Sequence, residues 1–367
     1  MNEIEAQKLF NQKRRQHFLS EERWKVILDK TPETIQILES NFNSDDLELK
    51  DSYGLTASTL WRCLRACYTA GEPISQLPPM LDEIISVLEI STQFWQEHKA
   101  ELLDIGYYFG PLKWSEVDDY LKVIQLIAVC YLLQREDLLE RLLQVILDNA
   151  ADDLEPDTTI EDFFYYRFKD RPDPEYVQMG KHAVLISEAI CGETKEEQLE
   201  YLNAYLKDWY HEMVGLTDGE YQSHLDHEQN GFCGYWSFEA AAIAYLDDLD
   251  DTSLRQYPYY PKDMVDWARE QKQQRLKAED NSDNLPLLLN AGTPAPFTGK
   301  YGIENFIGHE IMLQQGEPLP AGQVSAERDK NGDPVYRNDT VWRLLQREDG
   351  GKVRFKEEEL KKWQPKQ

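Results

Sequence analysis

Apolar side chains return at three- and four-residue spacing through most of residues 1–280, as in Trp24, Ile27 and Leu28 and again in Leu138, Leu142, Val145 and Ile146. That period is the signature of helices with one buried face. It predicts further helices over Met80 to Trp95, Tyr176 to Cys191, Glu196 to Met213, Trp236 to Leu249 and Pro261 to Lys277. Tyr120 to Leu133 is the most apolar run, broken by Lys122 and Gln125. At 14 residues it falls short of the roughly 20 that a membrane span needs, so it is expected to be a buried core helix. Gly71-Glu72-Pro73 and Arg171-Pro172-Asp173-Pro174 mark loops, and the acidic stretch Asp152 to Asp162 marks a seam between two helical halves. From Asn281 the texture changes. Short β-compatible pieces stand at Glu310 to Leu313, Thr340 to Leu345 and Lys352 to Phe355, with turns at Gly299, Gly302, Gly308, Gly316, Pro294, Pro296, Pro318 and Pro320. Lys277 to Asn284 is the expected linker. The pattern therefore predicts an all-α helical body of two halves, residues 1–150 and 163–278, followed by a small β-rich C-terminal module over 285–367.

Composition narrows the function. With 41% hydrophobic and 11% aromatic residues the 367-residue chain has ample material for a core. Five cysteines, Cys63, Cys67, Cys130, Cys191 and Cys233, are scattered through apolar segments without a CxxC pair, which fits small hydrophobes in a reducing compartment better than a disulfide or zinc framework. No apolar stretch follows the basic residues near the N-terminus, so a secretory signal is not expected and a cytoplasmic location is. The net charge is −29, of which −28 belongs to residues 1–280 and −1 to residues 281–367. Such a surface repels phosphate backbones and attracts basic proteins, which disfavours direct nucleic-acid binding.

Several clusters invite chemistry. Gly234 to Asp251, GYWSFEAAAIAYLDDLDD, leaves almost no polar face around Glu239. A buried carboxylate must find hydrogen-bond partners or rise in pKa. No second carboxylate or histidine lies at a spacing that would set it beside Glu239, so a structural role is favoured over general acid or base catalysis. Asp247, Asp248, Asp250 and Asp251 close that helix against its dipole, which suits a solvated turn or a cationic protein face; the run lacks the glycine and distal glutamate of a calcium loop. His211, His224 and His227, with Asp226 and Glu228, raise a zinc reading that the HLDH spacing does not support, and no metal or other cofactor is expected. No phosphate cradle and no nucleophile motif stand in the chain. Trp61, Trp95, Trp114 and Trp209 sit at core positions. In QYPYYPKDMVDWA, Gln256 to Ala268, Pro261 starts a helix, while Tyr257, Tyr259 and Tyr260 could anchor an interface.

The order YLNAYLKDWYHEM, GYWSFEAAAIAYLDDLDD and YPYYPKDMVDWA resembles the C-terminal domain of the PoNi immunity proteins, partners of PoNe-type DNase toxins, and RRQHFLSEERWKVILD is more loosely similar to that family's N-terminal domain. The likeness spans roughly residues 10–270. It implies an all-helical, acidic immunity protein that blocks a polymorphic toxin delivered by a contact-dependent route such as the type VI secretion system. Tyr235, Trp236, Phe238 and Glu239 carry over as signature positions with a fold-maintaining role. Charge, independently, puts a toxin-binding surface on Asp247, Asp248, Asp250 and Asp251, on Asp152, Asp153, Glu155, Asp157, Glu161 and Asp162, and on Tyr257, Tyr259 and Tyr260. The expected partner is a nuclease with a basic surface, with neither nucleic acid nor membrane bound directly. A metal-dependent hydrolase acting on a toxin modification and a helical scaffold are the alternatives. The near-neutral tail, with Trp342 and Trp363, is expected to be a docking or dimerising module.

Overall fold

The computed structural model describes residues 3–42, 52–106, 110–114, 116–149, 155–178, 181–212, 221–226, 231–280, 284–304, 310–328, 334–337 and 340–363. Backbone contacts divide the chain into two compact units, Met1–Phe164 with Pro172–Gln271, and Tyr165–Arg171 with Lys272–Gln367. The helices on both sides of the acidic seam thus share one unit.

The first unit opens with α1 (Glu3–Lys13) and α2 (Glu21–Asn41). Ser20 caps α2 by accepting from the Arg23 backbone N–H, and Glu21 and Glu22 sit in the first turn where the helix dipole favours them. α3 (Tyr53–Ala70) packs between α2 and α4 (Leu77–Asp104). It stops at Gly71, which takes φ +84° and returns the helix carbonyls of Cys67 and Tyr68 their hydrogen bonds. α5 (Val117–Leu132) is the predicted core helix, and its residues from Leu126 to Leu132 are buried on every face. It ends in a turn at Gln134, and α6 (Leu139–Asp148) follows with Leu139, Leu142, Val145 and Ile146 inward.

Beyond the seam come α7 (Thr158–Tyr165), α8 (Lys181–Cys191), α9 (Lys195–Glu212), α10 (Phe238–Leu246) and α11 (Lys262–Asp280). α10 is buried throughout from Phe238 to Tyr245 and lies against α5, so two nearly apolar helices make the centre of this unit. α8 starts later than the periodicity predicts. Thr158 N–H donates to Tyr176 O at 2.7 Å and Gln178 N–H to Asp157 Oδ2 at 2.7 Å, which commits Tyr176 and Gln178 to bonds outside a helix. α11 also runs on to Asp280, through the first half of the expected linker.

In the second unit β2 (Leu288–Asn290), β3 (Gly299–Ile303), β4 (Glu310–Leu313) and β7 (Val341–Arg347) form an antiparallel sheet in the order β2-β7-β3-β4. β1 (Asn284–Pro286) pairs with β8 (Arg354–Lys356), and β5 (Gly322–Arg328) with β6 (Pro334–Arg337). Alternation along β7 sends Trp342 and Leu344 into a small core with Leu289, Tyr301 and Phe355, and Trp363 packs against it. Trp342 Nε1–H donates to Pro320 O at 2.8 Å, so its one polar atom is satisfied on burial. The predicted β-rich module is present. The fold as a whole is a helical body with a small antiparallel β module.

Candidate functional site

The signature segment is a buried polar knot. Phe238 and Glu239 begin α10 with no solvent exposure. Glu239 Oε1 accepts from Ser237 Oγ at 2.6 Å and, across the helix interface, from Tyr205 OH and Trp209 Nε1 of α9, each at 2.8 Å. Burial pushes the Glu239 carboxyl above the usual carboxylate range, against the pull of those three donors. Trp236 Nε1–H donates to Thr69 Oγ1 at 2.8 Å, and Thr69 in turn donates to Cys233 O at 2.7 Å. Arg65, one turn earlier on α3, donates to Gly234 O at 2.8 Å, and Tyr235 N–H donates to Gln16 Oε1 at 2.9 Å. The signature therefore ties the chain before α10 to α3, to α9 and to the α1–α2 connection. Gln16, Arg65 and Thr69 are parts of it that the sequence reading missed; the one trace they leave is the four-residue spacing of 65 and 69 on one face of α3.

The four aspartates after α10 separate into different environments. Asp247 is half-buried and accepts from Gln198 Nε2 at 2.8 Å. Asp248 is exposed, at φ +51°. Asp250 is exposed and caps the 3-10 helix Asp251–Gln256, its carboxylate bonded by the Thr252 N–H at 3.1 Å; the Thr252 hydroxyl bonds hold its pKa low. Asp250 and Asp251 thus stand at the favourable start of a second helix as well as beyond the unfavourable end of the first. Asp251 is buried and bound by Arg269 at 2.9 Å, Arg255 at 3.1 Å and the Tyr260 hydroxyl at 2.9 Å. Burial raises its carboxyl, but the two guanidinia and the hydroxyl outweigh that and leave it below the ordinary range. The cationic partner expected of this run is, for Asp251, supplied from within the chain.

The earlier acidic stretch also turns largely inward. Asp152 and Asp153 lie outside the described residues. Asp157 is 1% exposed and accepts from Tyr120 OH at 2.9 Å and from Ile160 N–H at 3.0 Å at the start of α7. Burial raises its carboxyl. Glu161 is buried, and Asp162 is pushed up to about 6 by burial. Glu155 is exposed. Burial of Asp157 has a local cause: the first turn of α7 needs acceptors, and the helix carries Ile160, Phe163 and Phe164 into the core.

The three tyrosines also divide. Tyr260 is buried on Asp251. Tyr259 is half-buried and stacks on Trp209 and Tyr210 with ring centroids 5.2 and 5.3 Å apart. Tyr257 donates to Asn203 O at 3.2 Å. Among the histidines, His224 Nδ1 lies 2.9 Å from Tyr235 OH, His211 is exposed on α9, and His227 and Glu228 are outside the described residues. Among the described residues no three His, Cys, Asp or Glu side chains are grouped so as to hold a metal. No described helix is long and apolar enough to cross a membrane. Cys130 and Cys233 are buried as expected of small hydrophobes, whereas Cys191 is exposed; all five are free thiols.

Fold and site together define a helical body knotted around a buried carboxylate, with a small β module after it. Residues 155–264, which span α7 to the start of α11 and hold the whole signature, match the family model of the PoNe immunity proteins (PoNi), C-terminal. That stretch is thus similar to the C-terminal region of the PoNi immunity proteins, as the resemblance implied. No curated protein matches. Among solved structures the chain is similar to protein PA2201 from Pseudomonas aeruginosa, at 18% identity and a TM-score of 0.53 over 73% of this chain and 97% of that one. That likeness concerns the fold alone.

Proposed function

We propose that the protein is a cytoplasmic immunity protein that binds a nuclease toxin and silences it by stoichiometric complex formation, with no chemistry of its own. The PoNi match over residues 155–264 is the observation that carries this reading. Charge supports it: a nuclease must offer a cationic groove to phosphates, and a body of net charge −28 over residues 1–280 suits such a groove. The exposed carboxylates Asp248, Asp250 and Glu155, with half-buried Asp247, are the proposed contacts; Tyr257 and Tyr259 would supply apolar area beside the aspartate row. Asp157 and Asp251 are buried on internal partners and are not among the proposed contacts.

The test is a DNA-cleavage assay of the nuclease domain encoded beside this protein, titrated with it. Cleavage lost at one-to-one stoichiometry is the expected result. Undiminished cleavage at excess protein, with no complex on size exclusion, would remove the assignment for that nuclease.

A further inference from the structure

Glu155 and Pro156, just before α7, and residues Pro172 to Tyr176, after it, line an open groove of about 600 Å³. Beside the groove its two walls are fastened to each other. The Thr158 hydroxyl donates to Pro174 O at 2.8 Å and the Thr158 N–H to Tyr176 O at 2.7 Å, while Gln178 N–H donates to Asp157 Oδ2 at 2.7 Å. Pro156, Pro172 and Pro174 have a fixed φ, so little backbone freedom remains to be lost when the groove is filled.

The lining combines carbon surface with negative charge. The three prolines and the ring of Tyr176 supply the first; Glu155, Asp173 and Glu175 supply three exposed carboxylates, and no lysine, arginine or histidine lines the groove. Among the described residues none of these three carboxylates accepts a hydrogen bond or forms an ion pair. Asp157 and Asp251, bound to Tyr120 and Arg269, are the contrast. The charge of Asp173 is felt inward instead: after burial, it is the largest of the neighbouring charges that raise the Asp162 carboxyl. Carboxylates gathered without a cation repel one another, and a cation arriving from outside removes that repulsion.

We propose that this groove is the docking site for a short arginine- and lysine-bearing segment of the nuclease, its cations on Glu155, Asp173 and Glu175 and its carbon atoms against the prolines and Tyr176. Long cationic side chains suit such a lining, because the methylene stem lies on carbon while the charged head meets a carboxylate. A guanidinium also stacks on a tyrosine ring. The inference deepens the immunity reading and rests on it for the owner of the segment: a nuclease concentrates arginine and lysine where it holds phosphates. It moves the weight of the contact from the aspartates after α10 to the two segments that flank α7.

The probe is a fluorescent peptide of about eight residues, alternating arginine and valine, whose binding to the full chain is followed by anisotropy. Any basic peptide adheres to a chain of net charge −29, so the deciding comparison is between variants of equal charge. Asp173→Lys with Glu175→Lys, both on exposed side chains, is expected to weaken binding at least about tenfold; Glu196→Lys with Glu200→Lys, equally exposed on α9, by less than about twofold. Tyr176→Ser, which leaves the charge unaltered, should weaken it about threefold. The groove variants should also weaken the complex with the nuclease encoded beside this protein, and the peptide should compete with that nuclease. Equal losses from the two lysine pairs overturn the proposal. So does a groove variant that holds the nuclease as tightly as wild type and blocks cleavage at one-to-one stoichiometry, a result that leaves the immunity reading in place. Failure of the immunity reading looks different: wild type and variants alike form no complex and leave cleavage undiminished while the peptide still distinguishes the groove, which removes the nuclease as its occupant.

Discussion

Asp248 and Asp251 stand three residues apart in one acidic run and have opposite surroundings. Replacing Asp251 by Ala leaves Arg255 and Arg269 without the carboxylate they share and is expected to cost about 3–5 kcal/mol in urea unfolding, whereas Asp248→Asn should change stability by less than about 0.5 kcal/mol. Blanket neutralisation of the run would therefore confuse folding with binding, and Asp248→Asn with Asp250→Asn is the pair that probes the toxin contact. The Asp251 carboxyl is held below its unfolded value, so its contribution is present above that value and lost as pH falls through the folded one. Asp162 has the reverse sign: at about 6 it sits above an unfolded value near 3.8, so its protonated form is favoured in the fold and stability drains away as pH rises through 6. Asp162→Asn should thus raise stability at pH 8 by about 1 kcal/mol, seen as a higher melting temperature, and leave it unchanged near pH 3. None of this was legible from charge counting, because Asp and Glu look alike in a sequence whether they face water or a guanidinium. The one visible hint was Arg255 four residues after Asp251.

At the scale of elements, what the sequence shows depends on how much of an element's burial is local. α5 and α10 were legible because nearly every side chain in them is apolar, and β4 because its bounds coincide with a run of β-formers. The start of α10 was misplaced at Trp236 because Ser237 N–H is committed to Tyr259 O at 2.9 Å, a bond between residues distant in the chain. β3, GKYGI, carries two glycines and one lysine in five residues, and only its pairing with β7 and β4 makes it a strand. The loop before α10 depends on Gly234 in a way its neighbours do not. It takes φ +116°, and a Cβ there would run into Thr69 Oγ1 and Trp236 Nε1, the bonded pair that joins this loop to α3. Gly234→Ala is therefore expected to destabilise by about 2 kcal/mol or more, where Gly292→Ala, open on all sides, should cost only its backbone strain. Chemical denaturation of the two variants side by side separates the clash from the positive φ that both residues share.

For the whole molecule, charge and fold are divided unevenly between the two units, and that division sets what each can do. The β module has its own core, so Trp342→Ala should speed hydrogen exchange in β2, β3 and β7 while α5 and α10 keep their protection. The helical residues hold nearly all of the −29, and a field of that size acts before contact. If the acidic face meets a cationic nuclease groove, the association rate should fall steeply from low to physiological salt, since a Debye length near 8 Å screens exposed charges and leaves buried ones alone. Asp248→Asn with Asp250→Asn should lower that rate and flatten its salt dependence, and should alter dissociation less, because exposed pairs steer an encounter more than they hold it. Stopped-flow association of the wild type and the double variant at two ionic strengths measures both quantities. Parallel salt slopes for the two proteins would place the steering charges elsewhere on the body, with Glu155 next to be neutralised.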